Sequence, residues 1–178
     1  MCDCIHRRGF LRSAATALAG LAVPSLALGA HERRRLRLYH THTSARLDVV
    51  YYARGNYDAG ALSELNAFLG DFRSGDQIEM DPNLFDVLFD AQQRLRSTGT
   101  YEVISAYRSP ATNEMLRKNG RGVAKNSLHM TGTAIDVRLT DVASARLRQA
   151  GLELRRGGVG YYPTSDFVHL DTGRVRNW

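Results

Sequence analysis

The chain has 178 residues, with 24 Lys and Arg against 18 Asp and Glu and a formal net charge of +6. That length fits one domain, and the basic residues are scattered without a basic-aromatic block, which argues against a nucleic-acid partner. Both cysteines, Cys2 and Cys4, sit at the very start of the chain, so the remainder has neither a disulfide framework nor thiolates for a metal.

Arg7-Arg8-Gly9-Phe10-Leu11 stands before an apolar run, Ala14 to Val23, that is broken at Pro24 and followed by small residues up to Ala30. This pattern resembles a twin-arginine (Tat) signal peptide, so residues 1–30 are expected to be an export signal read by the Tat machinery. The run is too short to span a bilayer, so no stable membrane anchor is expected after cleavage and the destination is the periplasm. Arg7, Arg8 and Arg12 against Asp3 contribute +2 of the +6, leaving +4 for residues 31–178. A mild basic excess suits an anionic polymer such as cell-wall material. Arg33-Arg34-Arg35 reads as a mobile lead-in to the domain.

Leu36 to His40 and Ala45 to Tyr52 carry strand formers around Thr41-His42-Thr43-Ser44 and read as a hairpin. Leu62, Leu65, Phe68, Leu69 and Phe72 then fall at helical spacing, predicting a helix that ends near Gly75. Asp81 before Pro82 predicts an N-cap and first helical residue, and Leu84, Phe85, Val87, Leu88, Ala91 and Leu95 give that helix a buried face up to Gly99. Tyr101 to Tyr107 reads as a strand, Pro110 to about Lys118 as a short helix, and Gly120-Arg121-Gly122 as a loop. Thr133 to Leu139 alternates as a strand, Asp141 is placed as the cap of a helix to about Gly151, and Gly157–Tyr162 and Phe167–Leu170 close the pattern as strands. Helices mostly precede strands, which favours α+β with a small antiparallel sheet over a parallel βαβ fold.

Strand alternation points Asp136 away from Ile135 and Val137, and groups His169 with Phe167 and Asp171. One sheet face then gathers Asp136, His169 and Asp171, and His129 arrives from the loop that Gly132 turns back into the strand. Two imidazoles and a carboxylate suit a catalytic zinc, because three protein ligands leave a position for water, whose pKa zinc lowers to about 7. A second reading stays open on spacing alone, with His129 on a surface loop, Asp136 exposed on a strand and His169 hydrogen-bonded in the core. His40 and His42 have no third ligand near them in sequence and are not expected to bind metal.

Ser127 to Asp136 runs Ser-x-His-x-x-Gly-x-Ala-x-Asp. It resembles the zinc motif of the D-Ala-D-Ala metallopeptidase superfamily, which includes VanX-type dipeptidases and the hedgehog signalling domain. Ile104–Ser109, Arg121–Lys125, Gly157–Pro163 and Phe167–Gly173 are more closely similar to the periplasmic murein endopeptidases of that superfamily, over about Leu36 to Trp178. The resemblance implies a hedgehog/D-Ala-D-Ala-peptidase-like domain over residues 31–178 acting on peptidoglycan stem peptides, with Zn2+ held by His129, Asp136 and His169; a monomer is expected, although the sequence does not fix the oligomeric state. In related dipeptidases a Glu three residues before the last ligand is the general base; Asp166 occupies that position here. Asp171 is its rival, as base or as support for a ligand. Arg108 matches an arginine that stabilises the oxyanion, or is an ordinary surface ion pair. Ser127 matches a substrate contact, or forms a turn; Tyr161 and Tyr162 either line the groove or belong to the sheet. A carboxypeptidase that trims terminal D-Ala and a non-catalytic zinc-containing wall-binding module are the rival readings.

Overall fold

The computed structural model describes residues 32–120 and 122–178; the expected export signal and Arg121 of the loop motif lie outside the described residues. Two adjoining strands, β1 (Arg34–His40) and β2 (Arg46–Ala53), form the expected hairpin, and β3 (Asn56–Tyr57) adds an outer edge. The first helix, α1, covers Ala59–Phe68, and α2 covers Pro82–Leu95. Strand β4 (Tyr101–Ser105) leads to α3 (Pro110–Lys118), a 3-10 turn at Leu128–Thr131 and β5 (Ala134–Leu139). Helix α4 (Ser144–Leu154) and strands β6 (Gly158–Tyr162), β7 (Phe167–Asp171) and β8 (Arg176–Asn177) complete the chain.

The sheet is larger than expected and mixed: eight strands in the order β3-β2-β1-β4-β5-β7-β6-β8. Pairs β1/β4 and β6/β8 are parallel and the others antiparallel. The parallel β1/β4 pair follows from the long connection through α1 and α2, which returns the chain to its starting edge; a tight hairpin permits only an antiparallel neighbour.

The apolar core sits between the sheet and α1, α2 and α4. Leu36, Leu38, Val103, Ile135, Val137, Val168 and Leu170 supply the sheet side, and Leu65, Phe85, Leu88 and Leu147 the helix side. Truncating a side chain such as Phe85 to Ala would cost about 3–5 kcal/mol, since the vacated volume cannot fully collapse. Helix α2 starts as its sequence predicts, with Asp81 accepting from the Asn83 N–H at 3.0 Å and Pro82 in the first turn.

Four local expectations are corrected. Arg34 and Arg35 are not a lead-in but open β1: Arg34 Nη1 reaches the buried Asp86 at 2.7 Å, an acid that also accepts from the Tyr51 and Tyr57 hydroxyls and needs a cation beside it. Helix α1 ends at Phe68, because Asp71 and residues 75 and 76 exchange backbone hydrogen bonds that close a loop, and this leaves Phe72 exposed. Strand β4 stops at Ser105, where its pairing with β5 shifts register. Asp141 does not cap α4, whose N-cap is Ala143; its carboxylate accepts from Ser97 Oγ at 2.7 Å and the Thr98 N–H at 3.1 Å, closing the turn before β4.

Candidate metal centre and its cleft

Alternation in β5 sends Ile135 and Val137 into the core and Asp136 to the other face, as the sequence predicts. The register then sets Asp136 directly opposite His169 of β7, and His169 opposite Gly160 of β6. His129 comes from the 3-10 turn. Ser127 Oγ accepts the His129 backbone N–H at 3.4 Å, and the Arg108 N–H donates to the His129 carbonyl at 3.2 Å. Gly132 ends that turn at φ 70°, where a Cβ would also meet the Glu79 carbonyl oxygen at 2.9 Å. Only glycine satisfies both the left-handed backbone and the close approach.

Three potential ligand atoms converge. His129 Nε2 lies 3.3 Å from Asp136 Oδ1 and 3.2 Å from His169 Nδ1, which is 2.8 Å from Asp136 Oδ1. Tetrahedral zinc with bonds of about 2.0–2.1 Å would set its ligand atoms about 3.3 Å apart, so the cluster matches the size of that coordination shell. The opposite ring nitrogens are tethered to acceptors. His129 Nδ1–H donates to the Ala106 carbonyl at 2.6 Å, and His169 Nε2–H donates to Asp171 Oδ2 at 3.0 Å. Each tether fixes the tautomer that leaves the inward nitrogen with its lone pair. The donor set, its spacing and both tautomers fit a divalent zinc.

At His129 and Asp136 the electrostatics agree, while at His169 the two flanking carboxylates favour the protonated ring. Burial pulls the His129 pKa below the ordinary histidine value against the opposing charge of Asp136, which favours the neutral, ligating form. Burial acts to raise the pKa of Asp136, but the charges and hydrogen bonds of His129 and His169 outweigh it and the net direction is down. At His169 burial acts downward, while hydrogen bonds to Asp136 and Asp171 prevail and raise it.

The cluster lines a cleft of about 630 Å³ shared with Arg108, Ser127, Tyr162 and Trp178. Arg108 is buried: Nη2 stands 3.4 Å from Asp136 Oδ2, and Nε has no partner among the described residues. Burial lowers its pKa and Asp136 works against that; the group stays a cation. Tyr162 is partly exposed, and its hydroxyl accepts from Trp178 Nε1 at 2.8 Å, which leaves its own proton to give. Ser127 holds the His129 turn and lines the cleft. Tyr161 packs against the core instead.

The two candidate bases part company. Asp171 is fully buried behind His169, where it also accepts from Arg176 at 2.7 and 3.0 Å and from the Gly158 and Gly173 N–H groups. Burial acts to raise its pKa, and these donors, led by His169, bring it below the usual carboxylate value. Asp166, at a left-handed φ of 49°, accepts from Ser144 Oγ at 2.7 Å and faces Arg138 at 3.8 Å. It is not among the cleft residues. His40 is buried with its ring edge-on to Phe68 and Phe72, and His42 stacks on Phe72 at 4.4 Å.

Sequence reasoning missed Arg176 and Trp178. The Trp178 ring stands 5.2 Å from His169 and occupies the space over Gly160, where a Cβ would come within 2.6 Å of it. A two-residue strand has no periodicity to announce it; the one available signal was that Trp178 is the only tryptophan.

Comparison with known proteins agrees with this geometry. The family model described as peptidoglycan L,D-endopeptidase MepK matches residues 28–178. The chain is 39% identical over 176 residues to peptidoglycan L,D-endopeptidase MepK of Escherichia coli K12, covering 97% of each, and equally so to that of Shigella flexneri. It is 41% identical over 146 residues to the probable enzyme of Haemophilus influenzae, covering 82% of this chain and 78% of the relative. No solved structure gives a significant match. A cleft with a His-Asp-His cluster and a sequence alike over nearly its whole length lead to one conclusion: the chain belongs to the MepK family of peptidoglycan L,D-endopeptidases.

Proposed function

We propose that residues 31–178 form a zinc-dependent endopeptidase that hydrolyses L,D peptide cross-links of peptidoglycan in the periplasm, after Tat export directed by residues 1–30. The observation that carries this reading is the convergence of His129 Nε2, Asp136 Oδ1 and His169 Nδ1, each at 2.8–3.3 Å from the others, in an open cleft beside a buried arginine. No helix among the described residues is long and apolar enough to cross a membrane.

When bound there, zinc supplies Lewis acidity to the scissile carbonyl and acidifies the attacking water. The protein's own groups do the rest. Ala106 and Asp171 hold the two imidazoles in their ligating tautomers. Arg108 and Tyr162 line the same cleft as the cluster and in this reading donate to the negative charge that develops on the carbonyl oxygen, fixed donors in a partly buried cleft acting with no reorganisation. In this reading Asp171 positions His169, and Asp166 braces the turn before β7 through Ser144 and Arg138.

The test is incubation of the zinc-loaded protein with purified 3-3 and 4-3 cross-linked muropeptide dimers, with products identified by mass spectrometry. Chelator-sensitive conversion of 3-3 dimers to monomers is expected. Intact dimers that lose terminal D-Ala would establish a carboxypeptidase instead, and zinc binding with no product would establish a wall-binding module.

A further inference from the structure

One row of residues crosses the sheet beneath the cleft. Ser105 at the end of β4 pairs with Asp136 of β5, Asp136 with His169 of β7, and His169 with Gly160 of β6. Trp178 completes the row, since its N–H donates to the Val159 carbonyl at 3.2 Å and its carbonyl accepts the Tyr161 N–H at 3.1 Å, two bonds that bracket Gly160. Side chains at paired positions of neighbouring strands stand on one face of a sheet. Gly160 has no side chain, a Cβ there would meet the indole at 2.6 Å, and the indole fills that gap with its centroid 5.2 Å from that of the His169 ring.

The indole is held before anything binds. Its Nε1 donates to the Tyr162 hydroxyl at 2.8 Å, and the Tyr162 ring stacks on Phe167 at 4.5 Å and 17°. The Arg176 guanidinium lies 5.0 Å over the indole and is itself paired with the buried Asp171 at 2.7 Å. With Nε1 and one face engaged, the ring has no polar group left to offer, yet Trp178 is 47% exposed and lines the cleft. A rigid aromatic side chain presents a large apolar surface with little rotamer freedom left to lose.

An amide held at the cluster leads a peptide chain away on both sides. Neighbouring strands stand about 4.8 Å apart, which is one side-chain length. The indole covers the strand next to His169 and touches the ligating ring, so a chain that leaves the cluster toward β8 runs directly over it. Tyr162 and Phe167, which also line the cleft, extend this aromatic wall.

We infer that Trp178 is a substrate-contacting residue: the open part of its indole carries an aliphatic segment of the cross-linked peptide next to the scissile amide and so seats that amide at the metal centre. This rests on the endopeptidase reading. The group received is an uncharged aliphatic side chain or methylene run, because the ring has no donor free for a polar one.

The probe is the purified 3-3 muropeptide dimer. Trp178 is the only tryptophan, so emission reports its own surroundings. On rapid mixing of zinc-loaded wild type with saturating dimer, emission should move to the blue and acrylamide quenching should fall before product accumulates. This reading needs no variant and holds whether or not Trp178→Ala folds. In steady state Trp178→Ala should raise KM about tenfold, as loss of a well-packed aromatic contact does. Trp178→Phe, which keeps an aromatic face without Nε1, should hold KM near the wild-type value. Tyr162→Phe, which removes the hydroxyl and leaves the indole, should lower kcat at unchanged KM. Zinc affinity by chelator competition should be unchanged in Trp178→Ala and Trp178→Phe, since the indole offers no ligand atom. Emission that does not change on mixing, or a folded Trp178→Ala that copies Tyr162→Phe with KM unchanged, overturns the contact and leaves Trp178 as a prop for Tyr162. Failure of zinc-loaded wild type to cleave the dimer overturns the endopeptidase reading and this inference with it.

Discussion

His169 is held between two carboxylates: Nε2 donates to Asp171 Oδ2 at 3.0 Å, while Nδ1 faces Asp136 Oδ1 at 2.8 Å. Asp171 is held in turn by Arg176 and by the Gly158 and Gly173 N–H groups, so the ring is braced from behind by a side chain that cannot rotate. Such a partner orients a ligating imidazole and raises its basicity, and its loss typically costs roughly 10–100-fold in metal affinity. Asp171→Asn is therefore expected to lower zinc affinity by about that factor with far less effect on zinc-saturated turnover. Chelator-competition titration checks it, and unchanged affinity would remove Asp171 from the metal centre.

His129→Ala takes away one of the three converging candidate ligand atoms and, on the proposed zinc reading, should abolish activity and zinc stoichiometry together. A chelator should do the same to the wild type and lower its thermal stability as well, because zinc binds only where folding has assembled the cluster. At free zinc a hundredfold above Kd that linkage amounts to about 2.7 kcal/mol. Metal analysis, activity and a melting curve on one sample check all three; a fully active His129→Ala would refute the ligand assignment.

How much of this site could be read from the residues depends on whether the information was local. Alternation alone places Asp136 opposite Ile135 and His169 opposite Val168, and the structure pairs the two polar residues across β5 and β7. The cap Asp81 acts within two residues of its own position. The parallel pairing of β1 with β4 joins segments some sixty residues apart, and an apolar pattern reports burial without naming a partner. Asp141 and Asp166 sit at the right spacing for a cap and for a base, but tertiary contacts turn them to Ser97 and Ser144. The mixed sheet, the Asp71 loop and the Trp178 wall are long-range outcomes of this kind.

Asp71 links pH to stability. Burial acts to raise its pKa, but hydrogen bonds from Thr112, Ser109 and Arg73 prevail and hold it at about 2, below the ordinary carboxylate value of about 3.9. The folded pKa is the depressed one, so the contribution is complete above pH about 4 and disappears as pH falls through about 2. Asp71→Asn should be less stable than wild type at pH 7 by about 2 kcal/mol, and the gap should close in acid. Urea unfolding at pH 7 and near pH 2.5 checks the sign; a gap that widens in acid would contradict it.

Gly160 leaves room for Trp178. A Cβ there would stand 2.6 Å from Trp178 Cε2 and Cζ2, with the ring backed by β6 through the Tyr161 N–H to Trp178 carbonyl bond at 3.1 Å and the Trp178 N–H to Val159 carbonyl bond at 3.2 Å. The backbone of Trp178 is pinned, so Gly160→Ala must rotate the indole away from His169 and out of its bond to Tyr162. Overpacking of this kind costs about 1–3 kcal/mol. Because Trp178 is the only tryptophan, its fluorescence isolates the event. Gly160→Ala should emit further to the red than wild type, lose the quenching that the neighbouring imidazole gives, and cleave dimers more slowly because the Tyr162 hydroxyl loses its partner. An unshifted spectrum in a stable Gly160→Ala protein would mean that the glycine is not the seat of the ring.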